Sequence, residues 1–497
     1  MATKENVVIF PFMAKGHTIP LLHLAAFLSS HHGHLAINLI TTPGNASFFH
    51  RHLPSHKHPN ISILSLPFPS FPPLPPGIES TDTLPSASLF PTFLNATTLF
   101  HSPFRQLLSN LSPLPICIIS DFFLGWTLPV ANEFNIPRIV FHGMSVFSMA
   151  MNKSLKYNMP KDDQPFTVPG TPPSLLLTRD DIPDAITKFS KVDDPEIKFY
   201  LNHVFAMDGV GDTDCSSQGI LVNSFIELEQ EYVKLFESFY RKGARAWLVG
   251  PLCTLAGNLL NEEISDEEGC LTWLDEREKN HNSVLYVSFG TQTHVSHEQL
   301  DEVAHGLIAS GYPFIWVLRS KTWTPPQSLV PDISTRGKIV RGWVPQKQVL
   351  EHAATGAFLS HCGWNSVLES ISCGVPILCW PMISEQPLNG KHVVDILGAG
   401  VRIGAKRDEI VSREAVENGV KRVMEDDKVR ENTAMLQRAA GKAVAEGGSS
   451  QVELSQLFNE LSCSGRCARD NKRKCVDSCS EGGFEECVSE RASLMTI

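Results

Sequence analysis

WVPQKQVLEHAATGAFLSHCGWNSVLESISCGVPILCWPMISEQ, running from Trp343 to Gln386, is the stretch whose reading decides the fold. Residues 356–361 are short and apolar, the pattern of a buried strand, and CGWNS after them is a tight turn. In the next segment Val367, Leu368 and Ile371 recur at helical spacing, and Gly374 closes the helix. A strand feeding a helix through a glycine-containing turn puts free N–H groups and a positive helix end at one point, which suits phosphate. Asn365 and Ser366 are candidate caps for that helix, and Glu369 stands three residues beyond Ser366, the spacing of a capping box. GVPILCWP then reads as a second strand, ending in the polar run Ser384-Glu385-Gln386. Ligands of open α/β sheets gather at the carboxyl ends of strands, so both strands deliver polar residues to one edge.

The chain has 497 residues, more than one ordinary domain, and 42% of them are hydrophobic, as in a globular protein. Net charge is −11, from 42 basic and 53 acidic residues. Outside a short stretch in the tail no Lys/Arg cluster forms a stripe, which argues against a nucleic-acid partner. No apolar run approaches the ~20 residues that span a bilayer. The N-terminus lacks a secretory pattern, so the expected location is the cytoplasm. Of 12 cysteines, seven are scattered through the body at mostly apolar positions and read as buried thiols; five crowd the last 35 residues. Monomer is the default oligomeric state.

Upstream, residues 6–12 and 36–41 read as strands flanking a helix over 18–28, with Thr18 as its cap and Pro20 in its first turn. Such a β-α-β start implies a parallel sheet. His17 falls in the loop before that helix. The positive helix end disfavours a charged imidazole, so His17 is expected to be neutral near pH 7 and suited to act as a general base. A strand over 115–121 ends in Asp121, on the same edge as His17; a carboxylate on one ring nitrogen would fix the tautomer and stabilise the imidazolium. The proline-rich segment 67–77 cannot be helix or central strand, and reads either as an acceptor wall or as a rigid connector. Residues 86–109 read as one helix, and Ser224 as the cap of a helix over 225–240. A strand over 284–289 opens the second half, and its turn Gly290-Thr291 faces the same edge as the 343–386 stretch. The one DxD, at 212–214, has no apolar strand ahead of it and reads as a turn.

WVPQ at 343–346, HCGWNS at 361–366, GVP at 374–376, WP at 380–381 and the closing acid-Gln together resemble the donor-binding box of plant secondary-product glycosyltransferases that use UDP-sugars. GHTIP at 16–20 and SD at 120–121 resemble that family's catalytic His and its Asp partner. The resemblance implies an α/β protein of the GT-B fold, two Rossmann-like domains facing a cleft. Residues 1–246 would bind the acceptor, 247–268 link, 269–445 bind UDP-sugar, and 446–462 form a helix packing back on the first domain. The Cys-rich tail, 463–497, departs from the family; it reads as a disordered extension, with a metal or redox site as the other reading of its CxxxC pairs.

The same resemblance implies an inverting transfer of glucose from UDP-glucose to a small apolar acceptor, most like a flavonoid or other phenolic, giving a β-O-glucoside. Terpenoid or hormone acceptors, a nucleotide-sugar epimerase or hydrolase, and a nucleotide-sugar-binding protein without catalysis are the alternatives. Trp343 would stack on uracil, with the Val344 backbone and Gln346 reading its edge. Gly290, Thr291, His361 and the turn Gly363 to Ser366, Asn365 included, would hold the diphosphate, and Glu369 the ribose. Trp364, Glu385 and Gln386 would line the sugar, Gln386 favouring glucose, and Ser384 the acceptor. UDP-glucose would be co-substrate, with no cofactor and no metal.

Overall fold

The computed structural model of the chain describes residues 4–160, 164–184, 186, 213–260, 266–291, 293, 295–403 and 409–463. Two parallel sheets face each other. The first holds β1 (Glu5–Phe10), β2 (Leu35–Thr41), β3 (Ile61–Ser65), β4 (Cys117–Asp121), β5 (Arg138–His142), β6 (Gly219–Val222) and β7 (Ala246–Leu248), in the order β3-β2-β1-β4-β5-β6-β7. The second holds β8 (Val284–Ser288), β9 (Phe314–Val317), β10 (Gly337–Val340), β11 (Thr355–Ser360), β12 (Ile377–Cys379) and β13 (Gly400–Arg402), in the order β10-β9-β8-β11-β12-β13.

The strands are near-continuous apolar runs because helices cover both faces of each sheet. In β1, Val8 and Phe10 enter a core with Phe93, Phe100 and Phe104, while Val7 and Ile9 enter another with Leu21, Leu24 and Leu28. Each such side chain contributes roughly 1.5–3 kcal/mol on burial. Residues 449–463 are helical, and Leu454, Leu457 and Phe458 join the core behind the first sheet. Among the described residues no helix is long and apolar enough to cross a membrane.

Strand order places the chemistry. In the first sheet the winding reverses between β1 and β4; in the second, between β8 and β11. A crevice opens outside the carboxyl ends at each reversal. His17 and Asp121 follow β1 and end β4; Gly290 and His361 follow β8 and β11.

Several local expectations are corrected. The first helix is Lys15–His31, so Thr18 is not its cap; buried inside it, Thr18 donates Oγ1–H to the Phe12 carbonyl. The span 86–109 is broken into Phe90–Thr97, a 3-10 turn Thr98–Phe100, and His101–Ser109; Pro103 has no N–H with which to continue a single helix. Ser224 does not cap its helix, Ile226–Glu237, but donates to the buried Glu229 carboxylate. The proline-rich segment is a connector: Phe68 packs on Phe93 and Phe100, and no residue of 67–77 lines the cleft. Cys117, Cys215, Cys270, Cys362 and Cys379 are buried free thiols. Of the DxD, Asp212 lies outside the described residues and Thr213-Asp214 sit in a turn. The tail from 464 on also lies outside them.

Candidate active site

His17 is the third residue of helix Lys15–His31, and its Nδ1 lies 2.8 Å from Asp121 Oδ2. Asp121 is fully buried, and its Oδ1 accepts the Phe123 N–H at 3.0 Å. A carboxylate accepts only, so Nδ1 carries the proton and the Nε2 lone pair remains for a substrate. The rings of Phe12, Phe122 and Phe123 stand 5.2–5.9 Å from the imidazole.

The helix end, expected to disfavour a charged imidazole, does not set the direction in which the His17 pKa moves. Burial pulls its pKa down, but the charge and hydrogen bond of Asp121, with Glu385 and Asp82 behind them, raise it above 6.5. A carboxylate at hydrogen-bond distance outweighs partial charges on the first helix turn.

The pair opens into a cavity of about 860 Å³. Phe12, Phe90, Phe122, Phe123 and Met144 form an apolar wall. The opposite wall is the 343–386 stretch together with Gly290 and Thr291. The His361 ring is wedged between two backbone turns: a Cβ on Gly290 would lie 2.6 Å from its Nε2, and one on Gly363 2.5 Å. Burial holds the His361 pKa near about 4, so it is neutral and can contribute one N–H without a charge of its own.

Helix Trp364–Cys373 starts at Gly363, which provides no side-chain cap. Asn365 and Ser366 are therefore in its first turn, not caps, and the capping box with Glu369 does not form. Asn365 Nδ2 instead donates across the cleft to the Gly16 carbonyl at 2.6 Å. That carbonyl is available because Pro20, four residues on, has no N–H to give it. Asn223 Nδ2 reaches Asn365 Oδ1 at 3.4 Å. Gln346 Nε2 donates to Ser366 Oγ at 3.0 Å and to Glu369 Oε2 at 2.5 Å, and Tyr286 donates to Gln346 Oε1 at 3.2 Å. Gln346, Ser366 and Glu369 thus form one cluster on this wall of the cavity.

Trp343 is 53% exposed, with Lys15 Nζ 4.8 Å from its ring centroid. Val344 borders the same part of the cavity. Trp364 is 2% exposed and donates its indole N–H to the Asn223 carbonyl, so it borders the cavity from within the core. Gln386 Oε1 accepts from the N–H groups of Met382 and Ile383, which leaves its Nε2 as the donor for a ligand. Glu385 accepts from Asn389, and burial raises its pKa. Ser384 holds φ at +53°, a conformation rare outside glycine, at the cavity rim. Lys15, the Gly16 carbonyl, Asn223 and the phenylalanine wall were missed from sequence; the Gly16–Pro20 spacing was the readable signal for one of them.

Residues 256–440 match the family model described as "UDP-glucoronosyl and UDP-glucosyl transferase". UDP-glycosyltransferase 73B1 of Arabidopsis thaliana is 36% identical over 495 residues, covering 92% of this chain and 96% of that one. The scopoletin glucosyltransferase of Nicotiana tabacum is 37% identical, with 91% and 97% covered. Among solved structures, Glycyrrhiza uralensis UGT73P12, complexed with glycyrrhetinic acid 3-O-monoglucuronide, superposes with a TM-score of 0.82 at 30% identity, covering 97% of this chain and 100% of that one. Phytolacca americana UGT2, complexed with UDP-2fluoro-glucose and pterostilbene, gives 0.76 at 29% identity, with 92% and 100% covered. With this fold, this cleft and these relatives, the chain belongs to the plant family 1 UDP-glycosyltransferases and is a glycosyltransferase of GT-B fold.

Proposed function

We propose that this enzyme transfers glucose from UDP-glucose to a hydroxyl of a small planar phenol, a flavonoid or a similar compound, with inversion. The observation that carries the reading is the His17–Asp121 pair, 2.8 Å apart, opening on an aromatic wall and facing the donor box across one cleft. Scopoletin, in the name of one relative, and pterostilbene, complexed with another in its solved structure, are planar phenols.

In the proposed mechanism the acceptor hydroxyl lies against the phenylalanine wall and gives its proton to His17 Nε2 as its oxygen attacks the anomeric carbon. The bond from that carbon to the UDP oxygen breaks on the opposite face, so an α-linked donor yields a β-glucoside. Asp121 balances the imidazolium. The departing diphosphate is received by the N–H groups at Gly363 to Ser366, the Gly290-Thr291 turn and His361. Trp343 stacks on uracil, the Val344 backbone and Gln346 read its edge, and Glu369 takes the ribose hydroxyls. Trp364, Glu385 and Gln386 line the glucose, and Ser384 the acceptor. Residues 1–246 then serve the acceptor and 269–445 the donor.

Because helix ends and N–H donors receive the leaving group, turnover is expected to be insensitive to EDTA. Loss with EDTA, restored by manganese, would contradict the mechanism. The test of the function is UDP release from UDP-glucose with a panel of flavonols, flavones and simple phenols, with NMR of the product for its anomeric configuration. A β-glucoside of a phenol is expected. Binding of UDP-glucose without turnover on any phenol would leave the donor half standing and remove the phenol. Terpenoid acceptors would then be next, before a purely binding role.

A further inference from the structure

Every oxygen of Asp121 is engaged. Oδ2 meets His17 and Oδ1 meets Phe123 N–H; its carbonyl accepts from Leu124 N–H at 2.9 Å and from Arg138 Nη2 at 3.1 Å. Arg138 opens β5 beside Ile118 of β4, and its side chain runs along the sheet toward the carboxyl edge, where it reaches Asp121. It is 1% exposed, one of the largest fully buried side chains of the protein.

A buried guanidinium ordinarily meets a carboxylate directly. This one does not. Its donors go to neutral oxygens: Ser120 Oγ at 2.8 Å, Ser217 Oγ at 2.8 Å, the Thr213 carbonyl at 3.1 Å and the Asp121 carbonyl. Its charge is balanced at longer range by two carboxylates, the buried Asp121 and the partly buried Asp214. Asp214 is itself held by Lys153 and His142 at 2.9 Å and by Tyr240 at 3.0 Å. Charges alternate along this line, from the partly exposed Lys153 and Asp214 through Arg138 to the buried Asp121. Burial lowers the Arg138 pKa to about 10 against the pull of Asp214 and Asp121, so it remains a cation at neutral pH.

A base at rest is the costly state of such a pair. With His17 neutral, a fully buried carboxylate stands beside an uncharged ring. We infer that Arg138 is a positioning residue for the His17–Asp121 pair: it fixes the Asp121 backbone from beneath and supplies the permanent positive charge that balances Asp121 while His17 is neutral. The inference rests on the reading of His17 as the base. The other charged groups facing His17, Glu385 and Asp82, are both acidic and cannot supply that charge.

The test is the imidazole titration of His17 by NMR in the full chain, assigned by its loss in His17→Gln, alongside the pH profile of kcat/KM. Arg138→Met removes the positive charge, so His17 is expected to titrate roughly one unit higher. The acid limb of kcat/KM follows, while KM for UDP-glucose holds. Arg138→Lys keeps the charge with fewer hydrogen bonds and is expected to titrate near wild type. Asp214→Asn removes a negative charge on the far side and is expected to shift His17 downward; it carries the test if the Met variant does not fold. An unmoved titration in Arg138→Met, or an unmoved one in Asp214→Asn, overturns the proposal. So does an equal upward shift in Arg138→Lys, which would make hydrogen bonding the cause. A titration that moves while the rate limb stays still sinks the base role of His17 and leaves the electrostatic coupling in place.

Discussion

Alanine at position 17 lowers kcat/KM by roughly 10²- to 10⁴-fold, the usual worth of a positioned general base. KM for UDP-glucose stays near wild type, because the proposed donor wall belongs to the second sheet and its contacts do not pass through the imidazole. The pH profile gives the assignment a sign. The reactive form of His17 is neutral, and its pKa is raised above 6.5 by Asp121 against burial. Activity therefore rises with pH through a limb above 6.5. In Asp121→Asn the pull of the carboxylate is gone and burial remains, so the limb moves to lower pH. The rate falls nonetheless, since an amide can donate to Nδ1 and favour the wrong tautomer. Stability moves with the same group. A raised His17 pKa stabilises the fold fully below 6.5, and that contribution fades as pH rises through the raised value. Rate and stability thus change in opposite directions over one pH window. A rate limb that stays put in Asp121→Asn, or an His17→Ala variant with wild-type turnover, would remove His17 from the chemistry.

What could be read from sequence was what depends on local spacing. β11, the turn after it and helix Trp364–Cys373 are neighbours along the chain, so the strand-turn-helix proposed to receive phosphate is written in consecutive residues. The end of β4 could be read the same way, as an apolar run stopping at Asp121. Long-range partners could not. Asn365 looks like a cap because Asn caps helices, yet its amide is used on Gly16, 349 positions away. Glu369 looks like one half of a capping box, yet Gln346 claims it. The direction of the His17 pKa could not be read from the helix end alone, because Glu385 and Asp82, which add to the pull of Asp121, are far away in sequence. Arg138 read as the first residue of a strand, and nothing in RIVFH says that its guanidinium is buried beneath Asp121.

Adding one methyl group at Gly290 raises KM for UDP-glucose by roughly 10- to 100-fold, the loss expected when a hydrogen bond to a charged group is removed. Two penalties meet there. Gly290 holds φ at +75°, where an L-residue is strained by roughly 1–2 kcal/mol, and its new Cβ would stand 2.6 Å from His361 Nε2. The ring must give way, and the ring is the proposed diphosphate contact. Two other glycines separate these effects. Gly363 has φ at −60°, which any residue adopts, but its Cβ would lie 2.5 Å from the same Nε2. Gly311 has φ at +80° with nothing within 4 Å of its Cβ. Gly363→Ala is therefore expected to weaken UDP binding in calorimetry about as much as Gly290→Ala, and Gly311→Ala to lower the melting temperature while binding UDP like wild type. In a His361→Ala background, where the ring is gone, Gly290→Ala and Gly363→Ala should each add little to the loss of affinity. If Gly290→Ala weakens UDP equally with and without the ring, the methyl acts on the backbone of the turn and His361 is not the contact.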